Sequence, residues 1–169
     1  MTTFILPGFS PRNKDWAETI QKKLTGKIKT TIFYWPHWES GQTEKGWLTK
    51  EVKKIVEGAN KQKINILAKS VGTIAAMLLL KNHHQLVDKL ILCGIPLSGL
   101  GPIGKKRFGV LKKFSANRVL CLQNENDPLG SFSEVETFLH SICPKIQILS
   151  KPSTNHHYPY PKDFIKHLS

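Results

Sequence analysis

Three residue types that together can activate a hydroxyl stand in this chain just beyond separate apolar runs. Ser70 follows Ile64-Asn65-Ile66-Leu67-Ala68 and precedes Ile74-Ala75-Ala76-Met77-Leu78-Leu79-Leu80. The first run is short and largely branched, as in a buried strand; the second is longer and built of good helix formers. Ser70 therefore falls in a strand-to-helix turn. The next amide, that of Val71, is then free at a helix N-terminus, where negative charge is stabilised. Such a turn suits a nucleophilic serine with half of an oxyanion hole, although serine is also a favoured helix cap. The stretch Ala68-Lys69-Ser70-Val71-Gly72 departs from Gly-x-Ser-x-Gly at its first position, where a methyl is small enough for the tight turn.

A carboxylate and an imidazole follow two later runs. Arg118-Val119-Leu120-Cys121-Leu122-Gln123 leads into Asn124-Glu125-Asn126-Asp127-Pro128, and Lys145 to Leu149 leads into Ser153-Thr154-Asn155-His156-His157-Tyr158. A serine hydroxyl becomes a good nucleophile when a neutral imidazole accepts its proton and a buried carboxylate holds the imidazole's tautomer. Asp127 is the first candidate for the acid, with Glu125 and Asp88 as rivals. Taken singly, Asp127 could cap a following helix and His156 could be an ordinary loop histidine.

The elements that must position these residues alternate between strand and helix. Phe4-Ile5-Leu6 reads as a strand ending at Pro7-Gly8-Phe9-Ser10-Pro11, with an amphipathic helix after it. Lys29 to Tyr34 is a second strand, running into Trp35-Pro36-His37-Trp38, and a helix spans about Thr43 to Asn60. After the strand and helix around Ser70 come a strand from Val87 to Cys93, a long glycine-containing insertion, a strand from Arg118 and a helix from Ser131. A sixth strand and a closing helix from Pro161 complete the chain. This alternation predicts an α/β fold: a three-layer α/β/α sandwich with a mostly parallel sheet of about six strands. With strand order 2-1-3-4-5-6, the reversal falls between strands one and three, where ligands gather at the carboxyl edge.

The 169 residues fit one domain, 1–169, with residues 94–117 predicted as a short mobile lid loop. The start of the chain lacks a signal-peptide pattern and no window offers about 18 uninterrupted apolar residues, so a cytoplasmic protein with no membrane partner is expected. Cys93, Cys121 and Cys143 are odd in number and lack ligand spacing, which predicts reduced core thiols and no metal. The 25 Lys+Arg against 12 Asp+Glu give a formal charge of +13, but the lysines are scattered and no specific nucleic-acid module emerges.

The order Ser, Asp, His on a sheet of this kind resembles that of the α/β-hydrolase superfamily, in a small form without a cap domain. The resemblance covers essentially the whole chain. It implies Ser70 as nucleophile, Asp127 as acid and His156, in preference to His157, as base, because Asn155-His156-His157-Tyr158 is similar to the family's Asp-His-x-Phe variants. Pro7-Gly8-Phe9-Ser10 resembles its His-Gly loop with Pro7 for histidine, which makes the Phe9 amide the second oxyanion donor beside Val71. Trp35, Trp38, Ile95 and Leu97 follow strands two and four and are expected to line the substrate site.

The function implied is a carboxylesterase-like serine hydrolase that cleaves an ester, thioester or amide through an acyl-enzyme, with no cofactor. Its partner is a small acyl substrate, and the basic cluster at Lys105-Lys106-Arg107 and Lys112-Lys113 allows for an anionic one. The alternative is a non-catalytic binding protein on the same fold with a basic partner-contacting surface.

Overall fold

A computed structural model describes residues 1–169. Six strands, β1 (Thr2–Leu6), β2 (Lys29–Ile32), β3 (Ile64–Lys69), β4 (Val87–Cys93), β5 (Val119–Asn124) and β6 (Gln147–Lys151), form one parallel sheet in the order β2-β1-β3-β4-β5-β6. The helices are α1 (Asn13–Leu24), α2 (His37–Ser40), α3 (Trp47–Ala59), α4 (Val71–His83), α5 (Gly101–Arg107), α6 (Phe132–Ile142) and α7 (Pro161–Leu168). The reversal of order puts the carboxyl ends of β1 and β3 side by side, with Leu6 opposite Ala68 in register.

Both sheet faces are covered, so the central strands are apolar on both sides. On one face Ile5, Leu67, Ile91, Leu120 and Leu122 pack with Trp16 and Ile20 of α1 and Phe164 and Leu168 of α7. On the other, Leu6, Ile66, Ala68, Leu92 and Cys121 pack with α3, α4 and α6. Burying a Leu or Ile side chain stabilises by about 1.5–3 kcal/mol, and alternate residues of each strand contribute to opposite layers.

The segment expected as a lid loop is instead mostly helical. It forms α5, a 3₁₀ stretch Phe108–Lys113 and a turn at Ala116–Arg118, and it inserts buried Phe108, Leu111 and Phe114 into the core. These apolar anchors outweigh the poor helix propensity of its glycines, while Pro102 sits in the first turn of α5, where proline is tolerated. Cys93 and Cys121 are buried free thiols, as expected, and Cys143 is half-buried.

Candidate active site

Ser70 joins β3 to α4 with φ 54 and ψ −120, a conformation that L-residues rarely adopt. Backbone strain of this kind costs on the order of 1–3 kcal/mol and persists only where the surroundings enforce it. Two contacts enforce it here. The Ser70 amide donates to the Cys93 carbonyl at 3.0 Å, and the Thr73 hydroxyl donates to the Ser70 carbonyl at 2.6 Å. Gly72 lets α4 approach the end of β1, since a Cβ there would lie 2.0 Å from the Leu6 carbonyl oxygen. The N-terminus of α4 is thereby pressed against Pro7 and the loop that follows it. Ser70 makes no side-chain cap bond, so the plain capping role is not the one it has here.

The Pro7–Ser10 loop is held through its carbonyl groups. The Trp35 indole donates to the Pro7 carbonyl at 3.0 Å, and the Phe9 carbonyl accepts from Trp38 Nε1 at 2.8 Å and His37 Nε2 at 2.7 Å. A carbonyl only accepts, so Nε2 of His37 carries the hydrogen. On the opposite flank the Ser10 carbonyl accepts both the backbone amide and the side-chain amide of Asn13, each at 2.9 Å. The Phe9 and Val71 amides make no hydrogen bond within the protein. These side chains supply the support that a histidine in place of Pro7 would have been expected to give.

Asp127 and His156 meet. His156 Nδ1 donates to Asp127 Oδ2 at 2.6 Å, Tyr158 donates its hydroxyl to the same oxygen at 2.5 Å, and the Leu129 amide donates to Oδ1 at 2.8 Å. Burial pushes the Asp127 carboxyl up, but the bonds from His156, Tyr158 and Leu129 together outweigh it and hold the group below its usual range. Asn124, fully buried at the end of β5, donates to the carbonyls of Asn155 and His157 at 2.7 and 2.9 Å, which fixes the backbone on both sides of His156. The other ring nitrogen of His156, Nε2, is buried without a hydrogen-bond partner.

The imidazole lies against Gly94, whose Cβ, if present, would sit 2.9 Å from His156 Cε1. Gly94 directly follows Cys93, the residue whose carbonyl holds the Ser70 amide. His156 is therefore brought to the same strand end as Ser70, yet no hydrogen bond joins them; bonds of this type are often long in free enzymes and tighten in complexes. Glu125 and Asp88 are not beside the imidazole: Glu125 accepts from Ser150 at 3.4 Å, and Asp88 faces Arg118 at 3.7 Å.

Of the residues expected to line a substrate site, Trp35 and Ile95 are core, at 1% and 0% exposure. Trp35 spends its indole N–H on the loop. Leu97 lines a groove of about 570 Å³ with Ser98, Lys105, Pro128 and Gly130, and Trp38 lines another with Pro11 and Tyr34, which Trp35 also borders. The basic cluster divides as well: Lys105 faces the Leu97 groove, whereas Lys106, Arg107 and Lys113 line a separate one along α4 with Met77, Leu78 and Lys81.

The sequence reading missed Asn13, Lys69, Asn124 and the hydroxyl of Tyr158 that holds Asp127. For Tyr158 a signal was available, because it stands where the resemblance has a phenylalanine and a buried phenol needs a partner.

A family model described as an alpha/beta hydrolase domain matches residues 10–164. The chain belongs to the α/β hydrolase family. No curated protein matches the sequence. Among solved structures, an alpha-beta serine hydrolase homologue from Coxiella burnetii superposes with a TM-score of 0.72 at 19% identity, covering 100% of this chain and 85% of that one. The ydeN gene product from B. subtilis gives 0.69 at 14% identity over 98% and 96% of the two chains. A lidless a/b serine hydrolase from Xanthomonas campestris gives 0.62 at 16%, over 99% and 78%. This α/β hydrolase thus shares its fold with them across nearly its whole length. No helix in it is long and apolar enough to cross a membrane.

Proposed function

We propose that the protein is a serine hydrolase that cleaves an ester, thioester or amide through an acyl-enzyme on Ser70. The observation that carries this reading is the Asp127–His156 pair with its outer nitrogen free. An imidazole held at Nδ1 by an ionised carboxylate keeps its lone pair at Nε2, which is what a general base toward Ser70 needs. His156 takes the hydroxyl proton as Ser70 Oγ bonds to the acyl carbon, and returns it to the departing alcohol, thiol or amine. The negative charge on the acyl oxygen is met by the partnerless amides of Phe9 and Val71, the second at the N-terminus of α4. Water then repeats the sequence on the acyl-enzyme and releases the acid. The substrate is a small acyl compound in which Leu97 contacts one side and Lys105, lining the same groove, suits an anionic member of the class. No cofactor enters any step.

Labelling with a fluorophosphonate probe and peptide mapping tests this reading. Modification of Ser70 alone, lost in Ser70→Ala, is expected; a folded protein that stays unlabelled overturns it.

A second reading, a binding protein on the same fold, draws on the groove along α4. Met77, Leu78, Ile103 and Val110 form its apolar part, Lys81, Lys106, Arg107 and Lys113 its charged part, and no carboxylate lines it. An acidic partner retained by an unlabelled protein would favour that reading.

A further inference from the structure

Lys69, directly before Ser70, is the most unusual charge in the molecule. It is 4% exposed, and no carboxylate lies within ion-pair distance of it. Lysine is almost never this buried without a charged partner. Its one hydrogen bond runs from Nζ to Asn13 Oδ1 at 2.6 Å, and the ammonium sits 5.5 Å from the centre of the Trp16 ring. Hydrophobic residues would fill this space at lower cost, so the sheet and helices that enclose Lys69 hold an ammonium against its own desolvation.

The partner shows what the charge is connected to. Asn13 has its oxygen on Lys69 and its side-chain N–H on the Ser10 carbonyl, while its amide plane lies over Gly8, where a Cβ would come within 2.6 Å of Asn13 Oδ1. Lys69 therefore fixes which way the Asn13 amide faces: only with the oxygen turned to the ammonium does the NH₂ group reach Ser10. Gly8 and Ser10 flank Phe9. Trp35, His37 and Trp38 hold the Pro7 and Phe9 carbonyls from the far side, so Asn13 closes the near side of the same loop.

We infer that Lys69 is a positioning residue which, as an ammonium and through Asn13, sets the Pro7–Ser10 loop so that the Phe9 amide stands opposite Ser70. This deepens the serine-hydrolase reading and rests on it for its catalytic consequence. The mechanical link from lysine to loop is a property of the folded chain alone. The strand end that supplies Ser70 thus also supplies, one residue earlier, the anchor of the second oxyanion donor.

Titration gives the link a readout. Burial lowers the Lys69 ammonium to about 8, with Cys93 and Asp127 acting to raise it. The groups whose charges act on it, or on which its charge acts, are moved away from that range. Burial pushes the Cys93 thiol of β4 well up, Asp127 is held below its usual range, and His157 is lowered by burial and by the charges of Lys69 and Lys23. Lys151 of β6 and Asp163 of α7 pair with each other at 2.7 Å, and burial raises the Tyr158 phenol. A base that is weaker folded than unfolded destabilises the fold below its folded value, and the cost fades as pH rises toward the unfolded one. Removing the ammonium should therefore not weaken the protein below pH ~8, even as it weakens the site.

The experiment follows the backbone amides of Gly8, Phe9 and Ser10 by NMR from about pH 6 to 10 in the native protein, Lys69→Met and Asn13→Ala, together with melting temperature and the rate of fluorophosphonate labelling. Expected are a shared inflection of the three amides near the lysine value in the native protein, its loss in both variants, and a melting temperature of Lys69→Met at pH 6.5 no lower than native. Labelling should be slower by roughly 10-fold or more in Lys69→Met, a part of what removing an oxyanion donor costs. Loop amides that do not titrate near the lysine value, or that titrate unchanged in Asn13→Ala, overturn the inference whether or not Ser70 is labelled. Native-rate labelling of Lys69→Met overturns it while leaving Ser70 as the nucleophile. A native protein that is not labelled at all defeats the hydrolase reading, and the loop titration still decides the inference. Should Lys69→Met not fold, the inference is overturned in its claim that the charge is not there for stability, and Asn13→Ala still reports on the loop.

Discussion

Tyr158 and His156 share one oxygen of Asp127, the phenol at 2.5 Å and the imidazole at 2.6 Å. The two rings stand nearly perpendicular, at 85°, so they converge on Oδ2 without competing for the same space. Asp127 Oδ1 is left to the Leu129 amide. The Asp127 carboxylate is thus immobilised by three donors, one of which is the imidazole it orients.

Tyr158→Phe removes one donor and also leaves the Asn124 amide, which donates to the phenol oxygen at 3.2 Å, without its acceptor. Loss of a buried bond to a charged group costs about 1.5–3 kcal/mol, and urea unfolding should show a decrease of that order. A carboxyl with a lowered folded pKa contributes stability above its unfolded value, and that stability is lost as pH falls through the folded value. The variant's carboxyl moves up, so its acid-unfolding midpoint should move to higher pH. An unmoved midpoint means that the phenol does not support the ionised acid.

Asp127→Asn keeps the shape but no longer holds His156 in the tautomer with a free Nε2. A fall of about 10⁴ in kcat is expected from the behaviour of such triads. Steady-state kinetics on an activated ester checks it. A change confined to KM would reduce Asp127 to a loop-shaping role.

Gly94→Ala places a methyl 2.4 Å from the Tyr158 ring and 2.9 Å from His156, at φ +59 where alanine is itself strained. Both rings must move, and the labelling rate of Ser70 should drop by roughly 100-fold, the scale of a 1 Å misplacement. Gly99→Ala, which meets nothing within 4 Å, is the control. Equal rates in the two variants would show that the His156 position is not critical.

Ser70→Gly and Ser70→Ala should both abolish labelling yet differ in stability. Glycine relaxes the φ 54 backbone, whereas alanine keeps the strain, so the glycine variant should be the more stable by about 1 kcal/mol. Thermal melts of the two proteins decide it; an alanine variant as stable as the glycine one would mean that the turn stores little strain.

The strands and their order were legible because apolar runs of strand length alternate with helical periodicity, and the loop residues Ser70, Asp127 and His156 stand just past three of those runs. The helical character of 101–113 was not. Gly99, Gly101 and Gly104 argue locally for a loop, and only the burial of Phe108, Leu111 and Phe114 between α4 and α6 makes a helical path favourable. Ile95 went to the core because an aliphatic residue after a strand fits either a core or a cleft, whereas Trp35, although almost fully buried, still borders the groove that Trp38 lines. Lys69 was invisible for the opposite reason, since lysine is usually solvated. Its clue was position: two residues beyond Leu67 and on the same face of a strand buried on both sides, it had no route to water.

The strand order also bears on how the protein is made. Everything that bends the chain at Ser70 belongs to the first 94 residues: Leu6 beneath Gly72, the Cys93 carbonyl, and Thr73. Asp127, His156 and Tyr158 arrive on β5, β6 and the segments after them, which add to the sheet one beyond the other at a single edge. Of the two halves of the site, the Ser70 turn is therefore the one whose supports leave the ribosome first, and the segments that carry the Asp127–His156 pair follow them.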